Sequence, residues 1–343
     1  MPLTLFGCLP DGTEISEIRL TTPAGASASI LTFGAALRDL VVPVPSGGAR
    51  RVVLGYPTLQ DYLTNPGYLG VTVGRYASRI GAGRLALGGV EHQLTLNAGR
   101  HHLHGGVTGF SHRPWRILSF DESSVTLGLV SPDGDQGYPG ALEARCTYRL
   151  MSPAALRIVM TASVDALTPV SFAHHSYFTL APGESIRNHR LQIQASHYTP
   201  FDAELIPTGE IRSVAGTPYD FRERRQIEEA AGSGDFSYDM CLVLDHAENQ
   251  LAPAAVLEAP DGQLAMEVHT TEPCLVVYDG VNLPSEPAGS DGAPLFPHAG
   301  LCLEPIQFPD SVNVPWFRQA LLRPGDLYRQ VTEYRFRPGF AAR

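Results

Sequence analysis

Polar side chains that could carry chemistry stand beside glycine or aromatic residues in five short segments. Two segments contain histidines, two contain carboxylates, and one contains a pair of arginines. Imidazole and carboxyl groups exchange protons near neutral pH, and a guanidinium group forks hydrogen bonds to oxygen acceptors. These side chains make the five segments the candidates for a functional site. The segments are residues 74–80, 101–106, 171–178, 237–239 and 303–313.

The composition excludes several other kinds of chemistry. The chain of 343 residues contains no lysine, so all 25 basic residues are arginines. Schiff-base enzymes and P-loop nucleotidases are excluded, because each needs a lysine. The net charge of −10 argues against nucleic acid and anionic membranes as partners. Five dispersed cysteines without a C-x-x-C motif predict reduced thiols. Because a signal-peptide pattern and a long apolar run are also lacking, we expect a cytoplasmic protein.

The elements that position these segments are predicted to be mostly strands. Residues 125–129, 156–164 and 191–195 alternate apolar and mostly polar side chains, which is typical of antiparallel strands with one buried face. Helical periodicity is limited to residues 57–63 and 221–231. Strand–helix alternation is absent, so a Rossmann fold is excluded.

These patterns predict an all-β protein, a large antiparallel β-sandwich with loop excursions. Residues 284–297 are rich in proline and glycine and are predicted to form one long loop, followed by a strand at residues 301–306. The sequence has no convincing linker. We therefore expect a single domain over residues 1–343.

In their order and spacing, the five segments resemble the motifs of the aldose 1-epimerase (galactose mutarotase) family. The family pattern reads roughly G-R-x-A-N-R-I, L-H-G-G, N-H-x-Y-F-N-L, Y-D and L-E-x-x-x-x-P-D-x-x-N. The resemblance covers nearly the whole chain. It implies a β-supersandwich fold, no cofactor or metal, and interconversion of the α and β anomers of free aldoses such as galactose and glucose.

The resemblance also implies roles for five residues. It assigns the catalytic base to Glu304 and the acid to His175, and it assigns sugar binding to Arg79, His104 and Asp239. These side chains suit the reaction, since opening a cyclic sugar requires one proton to leave O1 and another to reach O5. A guanidinium group and a carboxylate can hold the other hydroxyls in place.

Some motif positions depart from the family pattern, and these departures leave the preferred sugar open. They adjoin the motif residues but spare the proposed acid and base. The departing residues are Ser78, His174, Thr179, Met240, Cys241 and Leu242.

Other interpretations remain open for the same residues. His102 and His104 would share a face of a strand and could bind zinc, although no cysteine lies near them in sequence. A hexose-6-phosphate 1-epimerase would need cations for the phosphate, for which Arg75 and Arg100 are candidates. A non-catalytic sugar-binding module is a third possibility, and a glycoside hydrolase is disfavoured by the histidine at the acid position. Tyr278 belongs either to the core or to the pocket wall. We expect a monomer or a homodimer.

Overall fold

The computed structural model describes residues 2–64, 67–232, 236–247 and 249–339. Within these ranges most regular structure is strand. The first fourteen strands are β1 Leu3–Cys8, β2 Glu14–Thr21, β3 Ser27–Leu31, β4 Leu37–Pro43, β5 Ala49–Arg51, β6 Thr72–Val73, β7 Arg79–Ile80, β8 Arg84–Leu87, β9 Val90–Gln93, β10 His102–Leu103, β11 Arg116–Phe120, β12 Ser124–Ser131, β13 Leu142–Met151 and β14 Ala155–Val164. The remaining strands are β15 Thr168–Pro169, β16 Ala173–His174, β17 Tyr177–Phe178, β18 Arg190–Ile193, β19 His197–Thr199, β20 Arg212–Ser213, β21 Arg225–Gln226, β22 Asp239–Val243, β23 Ala252–Glu258, β24 Ala265–Thr270, β25 Cys274–Tyr278, β26 Leu301–Ile306, β27 Leu321–Leu322 and β28 Tyr328–Arg337.

Helices in the described residues are short. The α-helices are α1 Leu59–Thr64 and α2 Ile227–Ala231, and 3-10 turns cover Gly81–Gly83, Phe110–His112, Asp135–Gly137, Ile186–Asn188 and Ser311–Asn313. Helix α1 matches the predicted helix at residues 57–63, and Thr58 and Asp61 cap its first turn reciprocally. The predicted helix at residues 221–231 is wrong in its first half, because Arg225 and Gln226 pair with β18. No helix in these ranges is long and apolar enough to cross a bilayer.

Three sheets form the body of the protein, and neighbouring strands in each are antiparallel. The largest sheet has the order β11-β12-β13-β14-β28-β24-β23-β18-β21, the second β17-β26-β25-β22-β19-β20, and the third β1-β2-β3-β4-β5. One hydrophobic cluster joins all three, since it contains Ile30, Ile158 and Leu303. The predicted large β-sandwich is therefore confirmed.

The alternation in β14 shows how the sequence selects these faces. Leu156, Ile158, Met160 and Ala162 are at most 2% exposed, whereas the residues between them are not fully buried. The leucine, isoleucine and methionine side chains each contribute about 1.5–3 kcal/mol when they are fully buried. The strand is central, paired with β13 on one side and β28 on the other.

The six-stranded sheet has one face in the core and one face that carries polar residues. On β26, Leu301 and Leu303 join the inter-sheet cluster, whereas Cys302 and Glu304 point to the opposite face because successive side chains alternate. Cross-strand register then sets two rows on that opposite face. One row is Tyr177, Cys302, Tyr278 and Asp239, and the other contains Glu304, Val276 and Cys241.

Candidate active site

A cavity of about 380 Å³ lies over the polar face of the six-stranded sheet. All five residues predicted for the site line this cavity, although they come from five separate segments of the chain. These residues are Arg79, His104, His175, Asp239 and Glu304. The structure thus brings together side chains that lie far apart in sequence, while their individual roles remain predictions.

Glu304 and His175 form a buried acid–base pair in the cavity wall. Nε2 of His175 lies 3.5 Å from Oε1 of Glu304, and the two side chains are 6% and 5% exposed. The backbone of His175 is held on both sides, since its amide donates to the carbonyl of Val71 and its carbonyl accepts from the amide of Gly70. These backbone hydrogen bonds fix the position from which the imidazole reaches a ligand.

Burial shifts the pKa values of this pair in opposite directions. It raises the pKa of Glu304 well above 4.5, and the negative charge of Asp239 adds to the effect. It lowers the pKa of His175 from 6.5 to about 4. Both shifts disfavour the charged form, because a group that loses water loses its solvation. The carboxylate becomes a stronger base and the imidazolium a stronger acid.

His104 is held in one tautomer by the backbone. Its Nδ1 accepts a hydrogen bond of 3.2 Å from the amide of Ser78, and burial lowers its pKa well below 6.5. The proton of the neutral ring must therefore lie on Nε2, which can donate to a ligand. The following Gly105 has φ +86°, and a Cβ there would lie 1.7 Å from the carbonyl oxygen of Gly74. Only glycine fits this approach.

Arg79 and Asp239 supply a donor and an acceptor of opposite charge. Burial lowers the pKa of Arg79 while Asp239 opposes that shift, and burial raises the pKa of Asp239 while Arg79 opposes it. Within the described residues, burial and charge are the influences on these two side chains, and no hydrogen bond to another residue contributes. Their hydrogen-bonding groups are therefore available to a ligand in the cavity.

Comparison with known proteins decides which family this site belongs to. A sequence model described as aldose 1-epimerase matches residues 16–335. The chain belongs to the aldose 1-epimerase family. Galactose mutarotase of Mus musculus is 38% identical over 340 residues, 97% of each chain. Aldose 1-epimerase of Escherichia coli (strain K12) is 36% identical over 336 residues, 95% of this chain and 96% of that protein. The resemblance inferred from the motifs is confirmed.

Solved structures of similar proteins match the fold of this aldose 1-epimerase family member. The galactose 1-epimerase from Lactobacillus acidophilus NCFM superposes with a TM-score of 0.85 at 29% identity, covering 98% of each chain. An aldose epimerase homologue from C. elegans gives a TM-score of 0.89 at 28% identity, covering 94% of this chain and 99% of that chain. The galactose mutarotase-like sandwich is thus found along nearly the full length.

Aromatic side chains of this aldose 1-epimerase family member complete the wall. The Tyr68 ring stacks on His175 with centroids 5.6 Å apart, and Tyr177 lies 5.2 Å from the same imidazole. Tyr278 also lines the cavity, which answers the question left open by the sequence, and its hydroxyl accepts from the amide of Asn282. Sequence reasoning missed Tyr68 because it lies in a turn, with φ +55°, outside every motif.

The long loop between β25 and β26 forms another part of the wall. Asn282, Leu283 and Pro284 line the cavity, and the described residues from there to Gly300 contain no helix or strand. Near its end, the amide of His298 donates to the carbonyl of Gly280 at 3.1 Å. The predicted loop at residues 284–297 is confirmed.

The short contacts of the acid–base pair favour hydrogen bonding over metal binding. His175, Cys302 and Glu304 place possible ligand atoms within 4.8 Å of one another. However, Cys302 Sγ is 3.6 Å from Nδ1 of the imidazole, whereas Glu304 approaches Nε2. One ion binds one ring nitrogen, so it cannot use both short contacts. The geometry fits a chain of hydrogen-bonding groups better than a chelate.

The zinc pair considered for His102 and His104 is also disfavoured by geometry. Strand β10 ends at Leu103, and His104 has φ +51°, so the two histidines do not share a strand face. Both nitrogens of His102 are engaged, Nδ1 with the carbonyl of Thr95 and Nε2 with the hydroxyl of Tyr138. His102 is therefore a packed, hydrogen-bonded histidine.

The cations considered for phosphate binding lie elsewhere. Arg75 is 1% exposed and donates to the carbonyls of Ser131, Pro132, Pro139 and Gly140. The side chain of Arg100 is 70% exposed and pairs with Glu204. Neither residue lines the cavity.

Most departures from the family pattern lie outside the cavity wall. His174 turns toward the core, where it contacts the hydroxyls of Tyr148 and Ser176. Met240 and Leu242 belong to the inter-sheet cluster. Ser78 does line the cavity, so it is the departing position that can contact a ligand directly.

Proposed function

We propose that this protein interconverts the α and β anomers of free aldoses such as galactose and glucose, with Glu304 as the base and His175 as the acid. The observation that carries the proposal is the buried pair itself, with Nε2 and Oε1 3.5 Å apart and pKa values shifted in opposite directions. The shifts strengthen the carboxylate as a base and the imidazolium as an acid, although burial also lowers the population of these two charged forms.

Ring opening moves two protons and breaks one carbon–oxygen bond. The carboxylate of Glu304 takes the proton of the C1 hydroxyl, electrons flow from O1 into a carbonyl bond, and the C1–O5 bond breaks. Protonated His175 gives its proton to O5. The pair ends as a neutral carboxylic acid and a neutral imidazole, which burial favours over the charged pair.

The open aldehyde then rotates about C1–C2 and closes with the proton movements reversed. His175 removes the proton from the O5 hydroxyl, O5 attacks the other face of C1, and Glu304 returns a proton to O1. Arg79, His104 and Asp239 hold the remaining hydroxyls, so that only C1 turns. The enzyme returns to its starting protonation state, and the reaction consumes no energy-carrying cofactor.

The cavity suits a single sugar ring. Its volume of about 380 Å³ is near the lower end of the range of about 300–1,000 Å³ for small-molecule pockets. Hydrophobic side chains such as Val276 and Leu283 line it beside the polar groups. A free monosaccharide is therefore the ligand class that we propose.

Polarimetry of freshly dissolved α-galactose tests this function directly. We expect wild-type protein to accelerate the change in optical rotation and Glu304→Gln to lose the acceleration. Glu272→Gln is the matched control, because Glu272 is also buried but lies in a second cavity with Gln307. No acceleration by the wild type, or equal acceleration by Glu304→Gln, would refute the proposal. A parallel assay with a hexose 6-phosphate separates the two substrate classes.

We further propose that residues 1–343 form one domain, which the hydrophobic cluster extending from Ile18 to Phe336 supports. A cytoplasmic location is supported by the five cysteines, which are all free thiols. A monomer or homodimer stays a prediction that gel filtration can check.

A further inference from the structure

A buried thiol contacts the proposed acid on the edge of the ring that faces away from the proposed base. Sγ of Cys302 lies 3.6 Å from Nδ1 of His175, whereas Glu304 faces Nε2. Cys302 is 0% exposed, and its cross-strand neighbours are Tyr177 and Tyr278. The sheet register therefore fixes the sulfur beside Nδ1, where the backbone carbonyl of His175 itself is a second acceptor for the ring.

The proposed reaction sets a condition on Nδ1. Nε2 of His175 gives a proton to O5 during ring opening. It must then be unprotonated in order to accept that proton during ring closure. A neutral imidazole carries one proton, so that proton must lie on Nδ1. If it lay on Nε2 instead, the ring could not accept the O5 proton, and closure would have no base.

We propose that Cys302 is a positioning residue that holds neutral His175 in the Nδ1–H tautomer by accepting a hydrogen bond on Sγ. The inference rests on the proposed function and deepens it. The hydrogen bond made by one ring nitrogen of a histidine decides which of the two nitrogens carries the proton.

A neutral sulfur suits this position better than a charged partner. A carboxylate at Nδ1 would stabilise the imidazolium and so weaken His175 as an acid. Burial keeps the thiol neutral by raising the pKa of Cys302 well above 9.0. The other titratable side chains around the ring are Tyr68, His104 and Tyr177, which contact it through their rings, and Glu304 at Nε2.

Nitrogen-15 NMR of histidine-labelled protein tests the tautomer without any activity measurement. The signals of His175 are identified by their loss in His175→Gln. At a pH where the ring is neutral, we expect the proton on Nδ1 in the wild type, a mixture of tautomers in Cys302→Ala, and recovery in Cys302→Ser. A proton on Nε2 in the wild type, or an unchanged tautomer in Cys302→Ala, overturns the proposal.

Kinetics supply the second readout. Cys302→Ala should lower kcat by about three- to tenfold, the usual worth of one hydrogen bond, with little change in KM. Cys302→Ser should recover most of the rate, and Cys302→Val, which keeps the apolar volume, should behave like Cys302→Ala. Cys274→Ala, a truncation of another fully buried thiol on β25, should keep wild-type kcat. Equal rates in all variants overturn the proposal. An inactive wild type would instead refute the proposed function, while the tautomer still decides the role of Cys302.

Discussion

Replacing Glu304 with glutamine should lower the activity of the protein and raise its folding stability. The amide keeps the volume of the side chain but cannot take the O1 proton. General acid–base catalysis is worth about 10²–10⁴ in rate, so we expect kcat to fall by about 10³-fold, or ~4 kcal/mol of barrier. Arg79, His104 and Asp239 remain in the cavity wall, so KM should change little.

The same substitution should stabilise the fold at neutral and alkaline pH. The pKa of Glu304 is raised in the folded protein from an ordinary value of 4.5, so its contribution to stability is full below pH 4.5 and is lost as pH rises through the folded pKa. Glutamine has no such loss. Each unit of raised pKa corresponds to ~1.4 kcal/mol at a pH above it.

Denaturant unfolding across pH and polarimetry of α-galactose measure the two effects. Glu272→Gln is a useful comparison with Glu304→Gln in the unfolding experiment, because burial raises the pKa of Glu272 to about 7. That shift of about 2.5 units corresponds to about 3 kcal/mol above pH 7, so this variant should also gain stability but keep its activity. The reasoning is refuted if Glu304→Gln keeps more than about a tenth of wild-type kcat. It is also refuted if its stability relative to wild type does not rise between pH 4 and pH 8.

Three further substitutions and one control substitution test the site and the core. Arg79→Lys should raise KM for galactose by about tenfold with a smaller effect on kcat, because an ammonium group cannot make two forked hydrogen bonds. Unchanged initial-rate kinetics would contradict this expectation. Asp239→Asn should lower the pKa of Glu304, because it removes a neighbouring negative charge. The pH dependence of kcat should therefore move to lower pH. An unchanged pH profile would show that the charge of Asp239 has no influence on Glu304. Leu303→Ala should lower the free energy of unfolding by about 2–5 kcal/mol in urea titrations, whereas Leu327→Ala, at 64% exposure, should change it by less than about 0.5 kcal/mol.

The sequence predicts the strands that have one clean apolar face, because burial there follows a period of two. Strand β14 is an example, and its four apolar positions are buried as expected. The sequence does not predict where residues 221–226 go, because edge pairing with β18 overrides a local helical pattern. Short pairs such as β7 with β10 are equally invisible, since two residues carry no periodicity.

The five site residues could be predicted because a sequence motif marks each of them, and all five line one cavity. The groups around them are harder to predict, because contact depends on sheet register. Cys302 is next to His175 only because β17 and β26 pair at Tyr177 and Cys302. Tyr68 reaches the same imidazole from a turn far away in sequence. No local pattern in one sequence encodes these distances between segments.

The division between the sheet face and the loop after β25 has a consequence for protein engineering. The proposed acid–base groups are tied to backbone that is paired or anchored, whereas Asn282, Leu283 and Pro284 belong to a segment without regular structure. A library confined to these three loop positions should alter which sugars are accepted while leaving the proton-transfer geometry unchanged. We therefore expect substrate preference to diversify at this loop while proton transfer stays with the anchored segments.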